Sequence, residues 1–217
     1  DNIWLGVCRP AVSGAIYADE IAQAYAESRV RAVPCESKFP VHIIFDLGWN
    51  DQMSIILAQR HMSALRVIEY IEDNKKTLDW CSAELKKKNY NWGEVWLPHD
   101  GGHGDFKTGL SAQQIMQNLG WQCGPENVIE RLPIEIGIRT ARMALPRTYF
   151  DRTKTDRLIQ CLRRYRRGIP SNTGEPGQPI HDEWSHGADC YRYLATIAER
   201  MGNESSKPLK YPNMRYA

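Results

Sequence analysis

No stretch of this 217-residue chain approaches the ~20 consecutive apolar residues that a membrane-spanning helix needs. No charged-then-apolar leader opens it either, so a soluble protein without an export signal is expected. The first residue is Asp1 rather than Met, which suggests a piece of a longer protein. The six cysteines (Cys8, Cys35, Cys81, Cys123, Cys161 and Cys190) form no CxxC pair. Scattered in this way they read as reduced thiols of an intracellular protein. No four Cys or His residues fall at zinc-finger or knuckle spacing, and a cluster of Cys190, His186 and His181 would lack a fourth ligand. Charge of one sign is missing as well. The net charge is only +2, so the chain as a whole does not announce a nucleic-acid partner.

Several catalytic signatures are also absent. Without G-x-S-x-G there is no strained nucleophile elbow, and without H-E-x-x-H there is no zincin helix. The segment Gly101 to Thr108 imitates a phosphate-binding loop, with glycines followed by Lys107-Thr108. Phe106 stands where that loop requires glycine, and the next helix is expected to start only at Ser111, which excludes nucleotide binding here.

What is present is a set of acids at the ends of apolar elements. Asp46 closes the run Val41-His42-Ile43-Ile44-Phe45, and Asp100 closes Val95-Trp96-Leu97-Pro98-His99. Asp189 sits at the start of a third element, three residues after His186, so the two share one face of a helix. Carboxylates delivered from two strand ends and a helix make an oxygen cage for a hard divalent cation. Each acid taken alone reads equally well as a capping residue that ends a strand or opens a helix, since a lone buried charge is costly. Three glycines and two histidines around Asp100 mark a loop built to approach a ligand closely.

With 42% hydrophobic residues the chain can build one sizeable core. The organisation expected is a lead-in over residues 1–40 with a helix at 17–27, a domain over 41–202, and a polar tail over 203–217. Strands are expected at 41–45, 54–59 and 65–71, with the hairpin residues Gly48-Trp49-Asn50-Asp51 after the first. These three should form an antiparallel meander. A helix at 78–88 capped by Thr77 leads to a strand at 94–99, returning parallel to the first. Beyond it come a helix at 112–119 capped by Ser111, a fifth strand at 128–132, and helices at 134–145 and 155–166. A Gly/Pro-rich loop spans 168–179, and a last helix, capped by Ser185, runs to about Met201. The fold class expected is α/β: a mixed sheet of about five main strands, three antiparallel and then parallel, with helices on both faces. Chemistry in such sheets gathers at strand ends, where Asp46 and Asp100 should be neighbours.

Basic residues are clustered although the total is balanced. Arg157, Arg163, Arg164, Arg166 and Arg167 crowd one segment, and Lys86-Lys87-Lys88 another. The lysines sit at a helix C-terminus and read as a solvated face. The arginines, with Lys107 near Asp100, are candidate contacts to a DNA backbone.

Four ordered segments carry a family resemblance: Gly14-Ala15-Ile16-Tyr17-Ala18-Asp19-Glu20, Phe45-Asp46-Leu47-Gly48-Trp49-Asn50-Asp51, Trp96-Leu97-Pro98-His99-Asp100, and His181-Asp182 through Ser185-His186-Gly187-Ala188-Asp189-Cys190-Tyr191-Arg192-Tyr193. Together they resemble the C-terminal nuclease domain of tailed-phage large terminase subunits. The resemblance implies a ribonuclease-H-like fold and a divalent-metal endonuclease that cuts concatemeric double-stranded DNA before and after head filling. It implies Mg2+ or Mn2+, two ions, with Asp46 bridging them and Asp100 and Asp189 each completing one site. His186 would orient or deprotonate water, and Asp51 and Asp182 would serve as outer partners. Implied partners are the packaging ATPase domain, the small terminase and the portal, in the cytoplasm of an infected bacterium, with no membrane involved and the isolated domain a monomer. No Walker A motif occurs, so only the nuclease half is represented, and Cys190 stands where a small residue such as Ala is expected. The rival expectations are another ribonuclease-H-like nuclease, such as a junction resolvase or an RNA–DNA hybrid nuclease, and a non-catalytic docking module.

Overall fold

The computed structural model describes residues 13–48, 52–104, 109–170 and 174–203. Its centre is one six-stranded sheet made of β1 (Val30–Arg31), β2 (Val41–Asp46), β3 (Gln52–His61), β4 (Ala64–Asn74), β5 (Trp92–Trp96) and β6 (Thr148–Asp151), in the order β1-β6-β4-β3-β2-β5. Strands β2, β3 and β4 form the expected antiparallel meander, with Asp46 opposite Ser54 and Ser54 opposite Glu72. Strand β5 returns parallel to β2, also as expected, while β6 adds parallel to β4 and β1 parallel to β6.

Side-chain alternation along the strands separates two cores. Val41, Ile43 and Phe45 of β2 and Met53, Ile55 and Leu57 of β3 face helices α2 (Leu78–Lys86) and α3 (Ala112–Asn118). Ile44 of β2 and Ile56 and Ala58 of β3 face the other way. There they meet α1 (Ala18–Ala26), α4 (Ile134–Ala144), α5 (Asp156–Arg164) and α6 (Ser185–Ile197). Strand β2 is buried on both faces over Val41 to Phe45, which is why its sequence is a continuous apolar run rather than an alternating one. Helices cover both faces of a mixed sheet, the class the sequence predicts.

Four local expectations are corrected. Residues 128–132 do not form a strand; Val128 makes a single parallel bridge to Leu97. The short helical turn Pro125–Asn127 just before, and Pro133 just after, leave no length for a ladder. The two further strands are instead β1 and β6. The strand after α2 stops at Trp96, and His99 and Asp100 lie in a one-turn 3-10 helix, His99–Gly102. Ser185 is the first helical residue of α6 and not its cap. Its hydroxyl donates to the Asp182 carbonyl at 2.7 Å, and Trp184 holds the cap position. Thr77 and Ser111 do cap α2 and α3, accepting from Trp80 N and Gln114 N. Trp49, Asn50 and Asp51 of the predicted hairpin turn, Lys107, and the tail beyond Asn203 lie outside the described residues.

The helix of the lead-in segment packs against the rest of the chain. Ile21 and Ala24 of α1 are fully buried, Ile16 N donates to Tyr165 O at 2.8 Å, and the Tyr17 ring stacks on Tyr165 at 5.9 Å. No described helix is long and apolar enough to cross a membrane.

Candidate metal centre

Helix α6 is pressed unusually close to its neighbours, and this contact places the acids. At Gly187 an added Cβ would come within 2.8 Å of both Cβ and Sγ of Cys161 on α5, and within 3.0 Å of the Tyr70 hydroxyl on β4. Only glycine allows that approach. One turn on, the fully buried Cys190 turns its thiol to the sheet and donates to Ile44 O at 3.3 Å and Ser54 O at 3.6 Å. A cysteine at this position therefore docks the helix on the β2–β3 pair, beside Asp46.

Docking brings His186 and Asp189 to the end of β2. His186 Nδ1 stands 3.6 Å from Asp46 Oδ2, with the two side chains 12% and 15% exposed. Burial pushes the Asp46 carboxyl up to about 6; the hydrogen bond from His186 pulls it back, and the Asp189 charge pushes it further up. Asp189 is raised too, by burial first, against the pull of the Arg192 guanidinium. Arg192 grips only one oxygen of Asp189, with Nε at 3.1 Å and Nη2 at 2.7 Å from the same Oδ1. Oδ2 is left outside that pair.

Asp100 is exposed on its 3-10 turn. The Tyr193 hydroxyl on α6 holds its proton more tightly than usual, by burial first and then by the charges of Asp46, Asp189 and Asp100. Among the described residues, no group of three or more His, Cys, Asp or Glu side chains is spaced to hold a metal ion. The structure thus sets His186 against Asp46, places Asp189 near enough for its charge to raise the Asp46 carboxyl, and leaves Asp100 on an exposed turn. Two half-buried carboxylates, one raising the pKa of the other, offer the oxygen donors that a divalent cation takes. The cation would supply the positive charge that the pair lacks.

The other predicted site residues sit elsewhere in the frame. Asp182 belongs to the turn before α6; its Oδ1 accepts from Trp184 N at 3.0 Å and its Oδ2 pairs with Arg166 at 3.0 Å. The arginines largely face protein groups. Arg157 binds Glu72 at 2.6 Å, and the Trp184 ring lies between the guanidinium carbons of Arg157 (4.4 Å) and Arg164 (4.3 Å). Arg167 pairs with Glu135 at 2.7 Å. Arg163, half-buried, engages no partner among the described residues. The contacts of Arg157, Arg164 and Arg166 with Trp184 and Asp182 clamp the entry to α6. The lysine cluster behaves as a solvated face, with Lys88 on Glu69 at 2.7 Å, Lys87 on Glu84, and Lys86 on Leu119 O at 2.6 Å.

Sequence reasoning left Arg192, Gly187, His99 and Tyr193 without roles. Arg192 carried a readable signal, an arginine three residues after an aspartate on one helix face. The role of Gly187 depends on a neighbour far off in the chain.

No model of a known protein family matches the sequence, and neither does any curated protein. Solved structures do match. The large terminase of a thermophilic bacteriophage aligns with a TM-score of 0.63 at 17% identity, covering 91% of this chain and 48% of that one. The P22 large terminase nuclease domain aligns with a TM-score of 0.59 at 18% identity, covering 81% and 90%. The large terminase nuclease of the thermophilic phage G20c, solved with bound magnesium, aligns with a TM-score of 0.53 at 15% identity, covering 84% and 97%. The chain spans about half the length of the first of these proteins and nearly all of each isolated nuclease domain. Its fold is that of the nuclease domains of phage large terminases, ribonuclease-H-like in class.

Proposed function

We propose that the protein is a divalent-metal-dependent endonuclease that cleaves double-stranded DNA during phage genome packaging. The observation that carries this reading is that Asp189 on α6 lies near enough to Asp46 at the end of β2 to raise its pKa, with both acids half-buried, both raised in pKa, and each held by His186 or Arg192. The pairing occurs in a fold shared with a terminase nuclease solved with magnesium. Asp46 and Asp189 would hold Mg2+ or Mn2+, with Asp100 contributing from the rim, and the sequence resemblance favours two ions. A bound divalent cation supplies charge to the phosphodiester and lowers the pKa of an attacking water.

The residues of the chain do the rest. Arg192 fixes the Asp189 carboxylate by one oxygen, so the other keeps a set direction. His186, held against Asp46, orients the attacking water and takes its proton. Asp182 orders the turn that starts α6 and so acts on His186 through the backbone; Asp51 is proposed as an outer partner on the resemblance alone. Phosphate contacts come from Arg163 and Lys107, while Arg164, Arg166 and Arg167 add to the positive field although they also pair within the protein. Double-stranded DNA is therefore bound with little base readout and with steep salt dependence. The chain would work beside a packaging ATPase, with small terminase and portal as further partners, in the host cytoplasm. The thermophilic-phage large terminase of which this chain spans about half is also solved with ATP-gamma-S.

Incubation of plasmid and linear duplex DNA with Mn2+ tests the proposal. Cutting should require the metal and disappear in Asp46→Ala and Asp189→Ala variants that remain folded. Undiminished cutting by either variant would remove the assignment. Preference for four-way junctions or RNA–DNA hybrids would move the protein to another ribonuclease-H-like activity.

A further inference from the structure

Beside the carboxylates a groove of about 550 Å3 opens between α4 and α6. Its lining includes His99 from the turn that carries Asp100, Arg131 and Leu132 before α4, Gly137 within α4, and Arg192 and Tyr193 of α6. The groove and the metal centre share Arg192. That guanidinium gives Nε and Nη2 to Asp189. Its Nη1 turns instead toward Gly137, where an added Cβ would lie 3.1 Å away, and it meets no acceptor among the described residues. Arg131 is exposed and has no partner among the described residues. Leu132 is 39% exposed at the same edge, an apolar side chain beside two cations.

Cations, an aromatic ring and apolar side chains along one groove are the chemistry that holds a nucleic-acid strand, with phosphates on the cations and sugars and bases against the apolar groups. The volume lies in the range of single-ligand sites, far below what a duplex would occupy. We infer that the α4–α6 groove is a subsite for one DNA strand, taking the backbone next to the phosphodiester at Asp46 and Asp189, with Arg131 and Arg192 on its phosphates and Tyr193 and Leu132 on its sugars and bases. The subsite rests on the nuclease reading for its position relative to the cut. Its capacity to hold a strand is independent of catalysis. Because Arg192 serves both the groove and Asp189, strand binding and the geometry of the acid are mechanically joined.

The test measures binding without metal. A fluorescently labelled twelve-residue oligothymidine is titrated with the protein in EDTA at low salt and followed by anisotropy. A negative charge introduced at either of two exposed lining positions, by Arg131→Glu or Leu132→Glu, should weaken binding about tenfold, and Arg131→Glu should flatten the salt dependence by about one phosphate contact. Lys87→Glu, just beyond the C-terminus of α2 across the sheet, should stay within about twofold of the parent, by the weak field of a distant surface charge. Circular dichroism melts confirm folding, and Leu132→Gln provides a milder second variant at the same edge. Equal affinity of the groove variants and the Lys87 control, or no binding by the parent, would overturn the subsite. A parent that holds the strand through the groove yet cuts no DNA with Mn2+ would keep the subsite and remove the nuclease reading. A parent that cuts while the groove variants bind normally would do the reverse.

Discussion

Gly187 of α6 lies against Cys161 of α5 so closely that a Cβ at residue 187 would sit 2.8 Å from the cysteine sulfur. His186 and Asp189 reach Asp46 from the same helical turn, so the closeness of this packing sets the spacing of the acids. Gly187→Ala should therefore act twice. Overpacking should cost about 1–3 kcal/mol of stability, read as a shift of the urea midpoint. Displacement of α6 should also cut Mn2+-dependent cleavage at least about tenfold, on the scale seen when groups that orient metal ligands are disturbed. Full activity with unchanged stability would show that the helix can move without affecting the acids.

The buried Asp46 carboxyl makes stability depend on pH with a definite sign. Its folded pKa, about 6, stands above the ordinary aspartate value of 3.8. Below both values the group is neutral in both states and costs nothing. As pH rises through this window the unfolded chain ionises first, so stability falls, and the full penalty is present above about 6. Two pKa units correspond to roughly 3 kcal/mol. In EDTA, urea midpoints of the parent should fall between pH 4 and pH 7, and Asp46→Asn should remove most of that fall while abolishing cleavage. A variant that is less stable than the parent at pH 7 would contradict a buried, penalised carboxylate.

The ion pair between Asp189 and Arg192 has side chains only 24% and 12% exposed. Arg192→Met should leave the acid without its cation and cost about 3 kcal/mol, typical of breaking one half of a buried pair. Asp189→Asn in the same background should recover part of that loss. A double-mutant cycle in guanidinium chloride measures the coupling, and additive effects would show the pair to be unimportant.

Trp184 between Arg157 and Arg164 fixes the approach to α6. Trp184→Ala should lower the melting temperature by an amount equivalent to about 1–3 kcal/mol, counting the cation–π contacts and the ring's packing. It should also reduce the rate of cleavage at saturating DNA more than it weakens DNA binding, because the loss acts on the position of His186. A change confined to binding would place Trp184 on the DNA instead.

Much of this arrangement was legible in the sequence, and the exceptions have physical causes. The apolar run ending at Asp46 marked β2 and its terminal acid correctly because a strand buried on both faces needs such a run. The 112–118 helix was readable from Ser111, since its capping box is a local pattern. Strand β6 was not, because Thr148-Tyr149-Phe150-Asp151 is short and follows α4 after only Leu145-Pro146-Arg147. Val128 to Leu132 has the composition of a strand, yet its one bridge joins Val128 to Leu97, just beyond the end of β5. The arginines were read from charge density alone. Their partners lie far away in sequence, Glu72 being 85 residues from Arg157, so only the folded chain reveals that they clamp the entry to α6. Asp100 was expected at the end of a strand beside β2, but β5 ends at Trp96 and Asp100 lies on an exposed 3-10 turn beyond it.

The most direct measurement is a crystal of the protein soaked in Mn2+ and examined by anomalous diffraction. A peak should appear between the carboxylates of Asp46 and Asp189, with Asp100 drawn toward it, and it should be absent from the Asp46→Asn variant. No peak at that position, or one that persists unchanged in the variant, would contradict the assignment of these acids as the metal centre.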